Sequence, residues 1–128
     1  GAGGEGVGGE GLVDDDPVYW HRLALARLNL SSPFRVQGEV ARAQELVAAG
    51  FEAISRARAL SPEDAQLCDT LLTLYSARWL LCRDREDHAG IIAAAQAMGQ
   101  EPLPSPFDAR LLHRAAYAAA TAFDLLAG

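Results

Sequence analysis

Apolar residues in this chain recur at alternating steps of three and four, the spacing that lines one face of an α-helix. Tyr19, Leu23, Ala26 and Leu30 form one such stripe, with Trp20, Ala24 and Leu28 beside it, and predict a helix from Pro17 to about Leu30. Val36, Val40, Ala43, Val47, Gly50, Ile54 and Ala57 predict a second from Pro33 to about Leu60, with the heptad-like spacing of antiparallel bundles. Cys68, Leu71, Tyr75, Trp79 and Cys82 mark a third from Ser61 to about Arg83, widened by Leu67, Leu74 and Leu81. Ile91, Ala95 and Met98 give a fourth from about Glu86 to Met98, stopping at Gly99. A fifth runs from Pro106 to about Ala127.

The punctuation comes from four dipeptides: Asp16-Pro17, Ser32-Pro33, Ser61-Pro62 and Ser105-Pro106. In each, a side-chain oxygen able to accept an orphan N–H precedes a proline suited to the first helical position. On this reading no helix interior contains a proline, because Pro102 and Pro104 share one connector. Asp64 would complete a shortened capping box at the start of the third helix. Glu39/Arg42 and Glu52/Arg56 are spaced for ion pairs on the wet face of the second. Gly38 and Gly50 fall inside that helix, where close backbone contact would compensate their poor propensity. The expectation is an all-α, compact antiparallel bundle of four to five helices.

Seven glycines in residues 1–13 read as a flexible tail or linker, so the chain divides into residues 1–15 and a bundle domain, 16–128. Residues 1–16 carry five acids and no base, whereas the remainder has 12 acids against 11 arginines. The bundle is therefore nearly neutral, which disfavours nucleic acid as a partner. The sole methionine is Met98, so the sequence reads as a piece of a longer protein. No apolar run approaches the roughly 18 residues of a membrane span. Lysine is absent, as in GC-rich coding, and with it Schiff-base or phosphate-loop lysine chemistry.

Cys68 and Cys82 lie 14 residues apart on one predicted helix, about 21 Å at 1.5 Å per residue. That exceeds disulfide reach, so both read as buried thiols of a reducing compartment. The expected location is intracellular: cytoplasmic, or nuclear for a eukaryotic or viral host. No metal spacing, glycine-rich phosphate loop or nucleophile elbow occurs, and no cofactor is expected. His21, His88 and His113 read as surface or boundary residues, and Trp20 and Trp79 as core.

In the fifth helix, Ala115 to Ala120 is apolar nearly all round, which suits either a central position or contact with another molecule. The favoured function is a non-catalytic protein–protein interaction module of a larger protein that forms a homo-oligomer. Its contact residues would be Ala115, Ala119, Ala122, Phe123 and Leu126. A regulatory domain of a transcription or assembly factor, with the acidic tail contacting a partner, is an alternative.

Arg83-Asp84-Arg85-Glu86-Asp87-His88 resembles the R-[ND]-x-x-x-H motif of HEPN domains, an all-α family that includes ribonucleases. The resemblance implies that Arg83 would stabilise a scissile phosphate, Asp84 would be a polar partner and His88 an acid or base. Here the motif's interior is charged, where that family usually has apolar residues. The positions of Phe34, Gly38, Gly50, Ile54, Ala57 and Pro62 are similar to tetratricopeptide spacing, but one unit makes a helical hairpin rather than an array.

Overall fold

The computed structural model describes residues 16–127, so the expected glycine-rich tail lies outside the described residues. Five helices follow one another: α1 (Pro17–Val36), α2 (Val40–Leu60), α3 (Ala65–Asp84), α4 (His88–Gln100) and α5 (Phe107–Ala127). There is no strand among the described residues, and the all-α expectation holds. The helices alternate in direction, which leaves α1, α3 and α5 parallel. His21 and Arg35 of α1 reach Thr70 and Asp84 of α3, and Arg110 and Arg114 of α5 reach Asp69 and Ser76. Hairpin α1/α2 packs on one side of α3 and hairpin α4/α5 on the other. The central helix is thus α3, whose ten buried residues include Leu67, Leu71, Leu72 and Leu74.

Of the four serine- or aspartate-proline dipeptides, only Asp16-Pro17 starts a helix as expected. Asp16 accepts the N–H of Val18 at 2.9 Å. The second expectation fails outright, because α1 runs through Pro33 to Val36. Proline there removes the bond to the carbonyl of Asn29, which is exposed and open to water. The helix stops instead at Gly38, whose φ of +83° suits a residue without Cβ. Gly38 N–H donates to the Arg35 carbonyl and Glu39 N–H to that of Phe34, at 3.0 and 2.8 Å, completing a Schellman motif. Gly38 is therefore the stop between α1 and α2, not part of a helix interior.

The later boundaries move for a related reason: carboxylates displace serines as caps. Ser61–Asp64 is a turn, and Asp64 caps α3 by accepting from Gln66 N–H at 2.8 Å. Asp87 caps α4 by accepting from Gly90 N–H at 3.0 Å, so α4 begins at His88 and runs past Gly99. Helix α5 begins at Phe107, one residue after a cis Ser105-Pro106 bond.

Packing explains two internal glycines. A Cβ on Gly50 would stand 2.8 Å from Leu74 Cδ2 and 3.6 Å from the Ala24 carbonyl oxygen, so the expected close contact of α2 is real. A Cβ on Gly90 would meet Asp87 and lie 2.8 Å from Cys82 Sγ. The spaced acids do not hold their expected arginines on α2. Arg42 lies over the ring of Phe34 and Arg56 over that of Trp20, at 5.0 and 4.7 Å. These cation–π contacts cover the faces of two rings on the first hairpin.

Candidate interaction surface

Helix α5 buries one face and leaves another bare. Phe107, Leu111, Ala118 and Ala122 point into the bundle. Arg110, Arg114 and Tyr117 face α3. Arg110 lies 3.7 Å from Asp69, Arg114 donates to Ser76 Oγ at 3.0 Å, and Tyr117 tilts against Trp79 at 5.7 Å. Opposite these, Leu112, Ala116, Ala119, Phe123 and Leu126 follow steps of four, three, four and three along one outward stripe. Leu112 is 57% exposed, Phe123 72% and Leu126 65%. Arg110 and Arg114 lie on the α3 side of this helix, while Leu112, Phe123 and Leu126 meet water.

The five expected contact residues divide on this geometry. Ala119, Phe123 and Leu126 lie on the exposed stripe, whereas Ala115 is half-buried and Ala122 is in the core. Leu112 and Ala116 complete the stripe and were missed. The usable signal was Arg110 and Arg114, whose positions mark the α3 side once that helix's acid and hydroxyl are known.

Helix α4 adds to this surface. Residues 88–100 contain no Asp, Glu or Arg, and Ala89, Ile92 and Ala93 are exposed. From residue 88 onward the only such charged side chains are Glu101, Asp108, Arg110, Arg114 and Asp124. Two of them, Glu101 and Arg110, pair within the bundle.

Arg83, Asp84 and His88 straddle the α3–α4 turn, and the first two have local partners. Asp84 accepts from Arg35 Nε at 2.6 Å, which holds its carboxyl below the usual range. Arg83 lies over the Trp79 ring at 5.5 Å, and 3.7 Å from Asp84. His88 Nε2 is buried without a hydrogen-bond partner among the described residues. The Arg35–Asp84 contact ties α1 to α3, a structural task for the residue that the motif would place beside a phosphate.

Other polar groups resolve into ties between helices. Tyr75 Oη donates to Glu101 Oε1 at 2.7 Å, and Arg58 reaches Glu101 Oε2 and the Pro102 carbonyl. Burial, then that bond to Glu101, raises the Tyr75 pKa. His21 Nε2 lies 2.8 Å from Thr70 Oγ1, a spacing that could activate a nucleophile, but Thr70 is buried and closed to substrate. Cys68 and Cys82 are free and buried, and burial pushes both thiols up, away from the reactive thiolate. A groove of about 410 Å³ between α2 and α3 has Val47, Leu81 and Cys82 on its floor and Gln44 and Arg78 at its rim. Among the described residues no three His, Cys, Asp or Glu are grouped to hold a metal, and no helix is long and apolar enough to cross a membrane.

Compared with known proteins, the chain matches no family model, no curated protein and no solved structure.

Proposed function

We propose that this protein is a non-catalytic helical interaction module that associates with a second copy of itself through the outer face of α5. The observation that carries this reading is the outward stripe itself. Three large apolar side chains, more than half exposed, stand in helical register with two alanines and no charge between them. Contiguous apolar surface of this kind is costly in water and is relieved by association. The polar clusters of the bundle tie helices together and, among the described residues, offer no accessible nucleophile paired with a base. These points favour a binding role over a catalytic one.

Sedimentation across a wide concentration range tests the proposal. The unmodified protein should shift from monomer to dimer as concentration rises. Phe123→Glu should weaken association by about thirtyfold or more, the scale of an interface hot spot, while leaving the melting temperature nearly unchanged. A protein that stays monomeric at high concentration would overturn it.

A further inference from the structure

The stripe has a size order that selects one way of pairing. Its middle is small, at Ala116 and Ala119, and its flanks are large, at Leu112 and Phe123. Two crossing helices approach most closely at one point and diverge on either side. Small side chains belong at that crossing and large ones where the axes separate.

Area limits the choice further. Helix α5 has 21 residues and spans about 31 Å, so a seam about 10 Å wide covers only about 300 Å² per copy. Specific interfaces cover about 800 Å² per partner, and the weak end lies near 600. The seam alone is too small. Adding the uncharged outer face of α4, 13 residues or about 20 Å long, brings the total near 500 Å² per copy. That is the size of a weak, reversible contact, not of a stable dimer. The pairing must therefore bring α4 into the interface.

Resting on the self-association reading above, we infer that two copies pair through antiparallel α5 helices, about a two-fold axis that crosses them between Ala116 and Ala119. Leu112 of one copy then faces Phe123 of the other, twice, and the alanines meet at the crossing. This axis lays α4 over its symmetry mate. An axis running along the helices would instead carry α4 over the flank of α5 that bears His113 and Asp124, both exposed, opposite the buried Leu111 and Ala122. The antiparallel arrangement also places His113 of one copy and Asp124 of the other on the same flank of the pair.

Cysteine cross-linking separates the arrangements. Leu112 and Phe123 are 11 residues apart, about 16 Å along the helix, well beyond disulfide reach. Leu112→Cys and Phe123→Cys proteins are prepared separately and oxidised alone and as a mixture. The native Cys68 and Cys82 are buried and leave the readout clear. Expected is a cross-linked dimer in the mixture, enriched at least about tenfold over either variant alone. Efficient linking of each variant with itself would overturn the antiparallel pairing but leave self-association standing. No linking in any sample, with sedimentation still showing a dimer, would overturn this face-to-face register. A monomeric unmodified protein would remove the inference and the function it rests on together. Both substitutions lie at exposed positions, and thermal melts of each variant establish that it is folded before oxidation.

Discussion

The two hairpins that flank α3 direct their arginines differently. Hairpin α1/α2 lays Arg42 and Arg56 over Phe34 and Trp20, so that charged groups shield the rings from water. Hairpin α4/α5 has no charge on α4, turns Arg110 and Arg114 toward α3, and leaves Leu112, Phe123 and Leu126 uncovered. Both hairpins bury a comparable inner face against the same helix. What differs is where arginine is directed. Hairpin α1/α2 also exposes Val18, Leu30 and Val36, but Arg42 and Arg56 lie over two of its rings. Those of α5 face α3 and leave the outer stripe bare.

The strongest way to probe this contrast uses two adjacent leucines on α5. Leu111 is 1% exposed and Leu112 57%, so Leu111→Ala should cost about 2–5 kcal/mol of stability by chemical denaturation. Leu112→Ala should cost under about 0.5 kcal/mol but weaken association in sedimentation. Equal destabilisation by both would mean that the outer face is covered within the monomer. A second test concerns the close approach of the first hairpin to α3. Gly50→Ala should destabilise by about 1–3 kcal/mol through overpacking against Leu74, despite alanine's better helix propensity. A gain in melting temperature would contradict that packing.

Smaller effects test the polar ties. Tyr75→Phe removes a hydrogen bond to the Glu101 carboxylate and should cost about 1–2 kcal/mol by denaturant titration. Because the Tyr75 pKa is raised in the fold, its contribution is complete below the ordinary tyrosine value near 10. That contribution falls as pH rises beyond there, and the Phe variant should lack this alkaline loss. Asp84 behaves in the reverse sense, because its folded pKa is lowered by Arg35. The stability advantage over Arg35→Gln should be present above about pH 4 and shrink as pH falls through the folded value. This pair is about one-third exposed, so the effect is small and should weaken in salt.

The helices were legible in the sequence wherever a buried stripe ran at helical spacing. Cys68, Leu71, Tyr75, Trp79 and Cys82 are all buried on one helix, as their spacing required. Boundaries were less legible, because a proline near a helix end tolerates two positions. At Pro33 it sits inside the helix, where the carbonyl it orphans can turn to water. The true stop, Gly38, looked like an interior residue because apolar spacing continues across the turn from Val36 to Val40. Part of the contact surface was visible as an apolar tract. Its orientation was not, since alanines at 115, 116, 118, 119 and 120 carry no mark of inside or outside. In the structure, burial of Phe107, Leu111, Ala118 and Ala122, with Arg114 on Ser76 and Tyr117 against Trp79, sets the rotation of α5.

One pair of ties has a mechanical consequence. His21 meets Thr70 near one end of α1 and Arg35 meets Asp84 near the other, both across 49 residues of sequence. Like two pins through adjacent staves, they fix the lengthwise position of α1 on α3 twice over. A slip of one turn, about 5.4 Å, would break both pins together, so sliding of α1 has no partially fastened halfway stop.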